Sequence, residues 1–270
     1  MSTKNVSDRS SYPNRVFSHQ DEDPKVLESI EQIFLSRRGY VFQPPVDEDV
    51  VLIYSGGLDS TTVIDMIIND WGVKIFPLFV RRSARATKYE EAAVRFFTQY
   101  YVEKYPGKMG ELEVVETEVP PLAFKHYAET DRLQRLGHPL RNVVLQSLGV
   151  QYAQKLRSSV SPNLRTVITA TVGDDTFPHS SLAAIRTLNL AACIDSGDWS
   201  WQITSPLIDT QLPNRPLFKR DLIQYAMEAG LPLDKTRTCV EAGEPDGTCT
   251  ECSERIEAFR QLGITDPIQY

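Results

Sequence analysis

The stretch that decides the fold is Val50-Val-Leu-Ile-Tyr54-Ser55-Gly-Gly-Leu-Asp59-Ser60-Thr-Thr62. An apolar run of this kind reads as a strand buried on both faces. It ends in small residues, and a helical stretch from about Ser60 to Trp71 begins at once. Glycines let the backbone approach an anion without a Cβ in the way. A new helix presents unpaired N–H groups and the positive end of its dipole to that anion. Ser55, Ser60 and Thr61 add hydroxyl donors, and Tyr54, Gly56, Gly57, Leu58 and Thr62 complete the turn. Asp59 cannot help an anion directly. It is suited to a water-mediated magnesium contact or to fixing the loop through backbone N–H groups. The bland alternative is a Gly-Gly turn with a capping Ser or Asp. The loop lacks the Gly-Lys-Ser/Thr end of a Walker A motif and is not a dinucleotide fingerprint.

Outward from this loop the pattern alternates. Strand-like runs at 73–80, 111–118 and 165–171 are separated by helical patterns at 88–104 and 142–156, with further helices at 180–194 and 217–229. Strands spaced by helices imply a mostly parallel sheet with helices on both faces, an α/β fold with right-handed crossovers. Upstream, Asp23 can cap a helix, with Pro24 in its first turn and Gly39 as its stop. Val26, Leu27, Ile30, Ile33 and Phe34 mark its apolar side. Phe42-Gln-Pro-Pro-Val46 reads as an extended linker. The reading divides the chain into a flexible tail (1–20), a helical extension and linker (21–48), a nucleotide domain (49–235) and a C-terminal segment (236–270).

Bulk properties limit the function. The chain has 270 residues, 41% of them hydrophobic, enough for one large domain. Its net charge of −7 argues against general nucleic-acid binding, which needs clustered Lys and Arg. No apolar run is long enough to span a membrane. The polar start lacks the apolar middle of a secretory signal, so the expected location is cytoplasmic.

Three of the four cysteines, Cys239, Cys249 and Cys252, crowd into one short stretch. In a reducing compartment such crowding points to metal before disulfide. Cys249-x-x-Cys252, with Cys239 upstream, has the spacing of a zinc site; the alternative is a reduced cluster packed as small apolar groups. Cys193 lies in an apolar helix and reads as core.

The loop Ser55-Gly-Gly-Leu-Asp59-Ser60 resembles that of the N-type ATP pyrophosphatases, the PP-loop enzymes, whose shared motif is Ser-Gly-Gly-x-Asp-Ser. That resemblance implies cleavage of ATP between its α and β phosphates. Four further stretches narrow it: His138-Pro-Leu-Arg141-Asn142, Gly173-Asp-Asp175-Thr-Phe-Pro178-His179-Ser180, Pro206-Leu207 with Lys219-Arg-Asp-Leu-Ile223, and Thr236-Arg-Thr-Cys239 with Cys249-Thr-Glu-Cys252-Ser-Glu-Arg255. In this order they resemble the 7-cyano-7-deazaguanine synthase (QueC) family over roughly residues 50–262. The resemblance implies an adenine-nucleotide alpha-hydrolase-like fold, with ATP, Mg2+ and Zn2+ as cofactors. It implies a deazaguanine carboxylic acid as substrate, adenylated and passed to ammonia to give an amide and then a nitrile. It also implies a homodimer.

Roles follow by the same resemblance, each beside a plainer reading. Arg141 and Asn142 contact the nucleotide or loop, or form a helix-start pair and cap. Asp174 and Asp175 bind magnesium or the guanine-like edge, or simply turn the chain. Lys219 offsets charge developing on phosphate, or is a solvated surface residue; His179 donates to phosphate or substrate, or is a satisfied structural residue.

The chain also departs from the family pattern. Phe79-Val-Arg81-Arg82-Ser-Ala-Arg85 stands where the family carries Phe-Asp-Tyr-Gly-Gln-Arg-His, and Asp246 stands where it carries a fourth cysteine, which implies either a zinc site of three Cys and Asp246, whose carboxylate can bind through oxygen, or a weaker metal site or none. These departures are similar to those of QueC-like proteins of bacterial antiviral (CBASS-type) operons, which implies a second acceptor, a protein amine. Rival readings are NAD or GMP synthetase, a tRNA-modifying ligase, and a non-catalytic nucleotide-binding partner.

Overall fold

A computed structural model describes residues 24–125, 137–175, 177–209 and 215–270. The expected tail at 1–20 and the Asp23 cap lie outside these residues. Five strands, β1 (Asp49–Ile53), β2 (Lys74–Arg81), β3 (Glu113–Glu116), β4 (Thr166–Ile168) and β5 (Gln202–Thr204), form one sheet in the order β3-β2-β1-β4-β5. All four pairings are parallel. The helices are α1 (Pro24–Arg38), α2 (Leu58–Trp71), α3 (Thr87–Lys104), α4 (Leu122–Lys125), α5 (Arg141–Arg157), α6 (Leu182–Ser196), α7 (Lys219–Glu228) and α8 (Thr250–Gln261).

Side-chain alternation divides β1 between two cores. Val50 and Leu52 face one, with α2, α3, α7 and α8; Val51 faces the other, with α1, α5 and α6. The chain builds β2 and β3 on one side of β1 and then returns to place β4 on its other side. The crevice at the carboxyl ends of β1 and β4 is the topological switch point, where open α/β sheets bind ligands.

The N-terminal extension packs into the second core. Leu27, Ile30 and Phe34 are buried, at i, i+3 and i+7. Val26 and Ile33, expected on the same side, are exposed, because the docked stripe is narrower than the apolar pattern. The inner face carries Glu31 instead, whose carboxylate accepts from buried Arg186 at 3.4 Å. Arg186 also donates to Asp209 at 2.6 Å. Burying Leu27 and Phe34 contributes about 1.5–3 kcal/mol each. Gly39 ends the helix at φ 81°, its N–H returning to Leu35 O at 3.0 Å. Arg38 then fastens the linker, donating to the carbonyls of Tyr40, Val41, Trp199 and Trp201. Cys193 is fully buried and sits in the core, as expected, with burial pushing its thiol up to about 11. Among the described residues no helix is long and apolar enough to cross a membrane.

Candidate active site

The loop at the end of β1 is held by its own small side chains. The hydroxyls of Ser55 and Ser60 lie 3.0 Å apart, and Gly57 N–H donates to Ser55 Oγ at 3.3 Å. Gly56 has φ 71°, and a Cβ there would meet Ala93 Cβ and the Val94 nitrogen at 2.9 Å. Glycine is therefore required twice over, by conformation and by the approach of α3. Gly57 occupies the cap position of α2 with extended backbone and no side-chain cap. The first N–H groups of α2 are thus left to an external acceptor.

Asp59, in the first turn of α2, is half-buried as a residue, but its Oδ1 is shut off from solvent and has no hydrogen-bond partner among the described residues. Burial pushes its carboxyl up to about 6; Lys219 opposes the shift, and Asp174, Asp175 and Glu254 add to it. Lys219, the first residue of α7, is buried, and its Nζ donates to Glu254 at 2.8 Å. Burial alone would lower its pKa. The carboxylates of Asp59, Glu254 and Asp174 outweigh that and hold the ammonium well above its ordinary range. The backbone N–H of Lys219 donates to Asp174 Oδ1 at 3.1 Å, so Asp174 caps α7.

Two adjoining hollows, of about 340 and 270 Å³, open over the loop and share Ser55, Gly57, Asp59, Arg141, Asn142 and Asp175. Leu58 and Lys219 line the first and Ser60 the second. Tyr54, Thr61 and Thr62 lie behind the loop, buried, with the Tyr54 hydroxyl 3.4 Å from Thr61 Oγ1. His179 stands behind Arg141 and Asn142: Arg141 Nη2 is 3.3 Å from His179 Nε2, and Asn142 Nδ2 donates to the His179 carbonyl at 3.5 Å. The imidazole stacks on Phe177. Burial first, and Arg82 second, lower the pKa of Arg141. Asp175 reaches the cavity while its Oδ1 accepts from the Phe177 N–H at 3.1 Å.

Several wall residues have no individual role that the sequence assigns, though some lie inside the stretches that carry the resemblance. Arg82, Glu90, Arg237, Glu251 and Glu254 all line the larger hollow. Of the basic group read at 81–85, only Arg82 faces inward, pairing with Glu90 at 2.8 Å. Arg81 pairs with Glu91 and Arg85 with Glu241, both away from the cavity.

The ligand sulfurs of Cys239, Cys249 and Cys252 lie within 4.8 Å of one another. Cys249 caps α8, its Sγ accepting from Cys252 N–H at 3.4 Å. Burial, then the neighbouring thiols, push the Cys252 thiol far up, a crowding that a cation would relieve. Three convergent soft donors fit a thiophilic ion such as zinc. Asp246, expected as the fourth ligand, is outside this group and exposed. Its carboxylate accepts instead from the backbone N–H and hydroxyl of Thr248, at 3.0 and 2.9 Å. The cluster reaches the loop through its flanks: Arg237 N–H donates to the Gly56 carbonyl at 2.9 Å.

A parallel sheet with a Ser-Gly-Gly-x-Asp-Ser anion cradle at the mouth of its central strand defines an adenine-nucleotide alpha-hydrolase-like protein of the PP-loop kind. Sequence comparison takes this further. The chain belongs to the QueC family: the profile described as "Queuosine biosynthesis protein QueC" matches residues 49–263. It is 28% identical over 233 residues to the 7-cyano-7-deazaguanine synthase of Pseudoalteromonas translucida, covering 83% of this chain and 99% of that one. It is 28% identical over 227 residues to 7-cyano-7-deazaguanine synthase 2 of Desulfitobacterium hafniense, covering 82% and 92%. Among solved structures, the U34-tRNA thiolase NcsA of Methanococcus maripaludis aligns with TM-score 0.36 and 14% identity over 88% of this chain and 73% of that one, a likeness too slight to bear on function.

Proposed function

We propose that this chain is an ATP-dependent C–N ligase that adenylates the carboxylate of 7-carboxy-7-deazaguanine. A carboxylate oxygen attacks the α-phosphorus of ATP, the bond between Pα and the bridging oxygen breaks, and pyrophosphate leaves. An amine nitrogen then attacks the acyl carbon, loses a proton and expels AMP, giving an amide. With ammonia as the amine, a second adenylation on the amide oxygen, which again releases pyrophosphate, and loss of AMP and both amide protons leave the nitrile. A hydroxide is a poor leaving group and AMP a good one, which is why ATP is needed at each stage.

One observation carries this reading: the Ser55–Ser60 cradle, with Gly56 wedged against α3, opens into the hollow where Lys219, Arg141, Asn142 and Asp175 meet. In this reading the N–H groups of Gly57 to Ser60 and the Ser55 and Ser60 hydroxyls hold the departing pyrophosphate. Lys219 and Arg141 offset charge as it grows on the phosphates. Asn142 and Asp175 address the deazaguanine edge, with His179 holding Arg141 and Asn142 in place. Mg2+ would be held by Asp59, whose buried Oδ1 lacks a partner, with Asp175, and would neutralise phosphate charge. Zinc would be held by Cys239, Cys249 and Cys252 and would stiffen the C-terminal wall. In domain terms, residues 49–235 supply the cradle and 236–270 close its mouth.

The test is turnover of purified protein with ATP, 7-carboxy-7-deazaguanine and ammonium. We expect AMP and pyrophosphate in equal amounts, two of each per nitrile. Formation of ADP, or no pyrophosphate with this acid, rejects the reading. The acceptor is resolved by supplying a protein amine in place of ammonium and weighing the products: an adduct on the protein, with AMP released, identifies the second acceptor.

A further inference from the structure

Lys219 has two acidic neighbours of different kinds. Asp59 belongs to the cradle, and its buried Oδ1 accepts no hydrogen bond. Glu254 belongs to α8, and its side chain is 47% exposed at the cavity wall, yet it takes the Lys219 ammonium at 2.8 Å. An ion pair open to water on one side is worth little as stabilisation. Its geometry does more. It holds the ammonium on Glu254 at the lining of the hollow, while Asp59 Oδ1 receives no hydrogen bond from it. Asp174 fixes the other end of the same residue, through the Lys219 N–H.

The element that presents Glu254 is itself rigid. The next residue, Arg255, is fully buried and donates to Asp266 at 2.7 and 2.9 Å, to the Leu233 carbonyl at 3.0 Å and to Thr236 Oγ1 at 2.5 Å. Glu254 is therefore delivered to Lys219 from a fixed register.

We propose that Glu254 is a positioning residue for the reaction: its carboxylate holds the Lys219 ammonium poised over the cavity, and without it the lysine collapses onto Asp59. This rests on the role assigned to Lys219 above. A positioning role predicts a loss in turnover more than in ATP binding, and a loss that exists only while Lys219 is present.

The experiment is a double-mutant cycle on the full-length protein, reading pyrophosphate release with ATP and 7-carboxy-7-deazaguanine. Glu254→Ala should lower kcat about 10-fold or more with KM for ATP changed less than 3-fold. Glu254→Gln, whose amide oxygen still accepts from Nζ, should retain at least a third of kcat. Lys219→Ala should fall further, and adding Glu254→Ala to it should change nothing. Melting curves of both Glu254 variants should stay within 2–3 °C of the parent, since the group is half in water; a Glu254→Gln variant that melts with the parent but turns over no better than Glu254→Ala overturns the inference. So does a Glu254→Ala loss that persists in full on the Lys219→Ala background. If Lys219→Ala keeps parental turnover, the role of Lys219 itself falls, and that result is distinct from a damaging Lys219→Ala beside a harmless Glu254→Ala.

Discussion

The backbone N–H of Arg237 donates to the carbonyl of Gly56 at 2.9 Å, and this bond joins the cysteine-bearing segment directly to the Ser55–Ser60 loop. The Arg237 guanidinium turns back onto the carbonyls of Cys239 and Glu241, so cradle and cysteine loop share one residue. Disturbing the thiol cluster should therefore be felt at the nucleotide. We expect Cys239→Ser, or a strong chelator, to lower the melting temperature and to weaken ATP binding several-fold in calorimetry. Unchanged ATP affinity after the cluster has demonstrably lost its metal would show that the two are independent.

Gly56→Ala is the sharpest test of the cradle's geometry. The residue sits at φ 71°, and its new methyl would press on Ala93 and on backbone of α3 at 2.9 Å. The strain is about 1–3 kcal/mol, and relieving it must move the loop. ATP affinity should drop at least 10-fold while far-UV circular dichroism stays as in the parent.

Asp59→Asn should separate stability from function. The Asp59 carboxyl titrates near 6 when folded, above its ordinary value of 3.8. Between those values the folded protein binds the proton more tightly than the unfolded one, so stability from this group falls as pH rises from about 4 to 6. The full span is roughly 2–3 kcal/mol. The asparagine variant should melt higher than the parent at pH 7.5, with the advantage gone near pH 4, yet release no pyrophosphate. Retained pyrophosphate release would count against the assignment of Asp59.

Arg186 joins Glu31 of the N-terminal helix to Asp209 beyond β5, with all three residues buried. Arg186→Ala removes the buried guanidinium that Glu31 and Asp209 share and should cost about 3–5 kcal/mol in urea unfolding. The triple replacement Arg186→Met, Glu31→Leu, Asp209→Leu should recover most of that loss; if it does not, the buried charges contribute more than mutual compensation.

Much of this was legible in the sequence where one local rule acted alone. The run Val50–Tyr54 and its glycines gave strand, turn and helix, since burial, phosphate approach and helix start all demand the same residues there. Of the basic group Arg81, Arg82 and Arg85, expected near the nucleotide or substrate, only Arg82 lines the cavity. What stayed hidden depends on tertiary pairing. Strand β5 has only Gln202, Ile203 and Thr204, two of them polar; they are strand because Gln202 bonds Thr166 and the Gln43 carbonyl, while Thr204 bonds Asp209. The strand expected over 165–171 is ordered only at Thr166–Ile168, because β5 offers just three residues to pair with. Glu254 lies inside the stretch Cys249–Arg255 that carries the resemblance, yet that stretch gives it no role: an acid on a helix reads as a solvated face, and only folding brings it to a lysine thirty-five positions earlier. Asp246, matched by position to a fourth ligand, accepts from Thr248 in a local turn, a partner that the position gave no sign of.

The wall contributed by residues 237–254 comes late in the chain. During synthesis a ribosome can release all five strands once residue 204 has emerged, but the hollow over the Ser55–Ser60 loop lacks this wall until α8 follows it out of the tunnel. A nascent or prematurely stopped polypeptide thus carries the Ser55–Ser60 loop without the far side of its hollow.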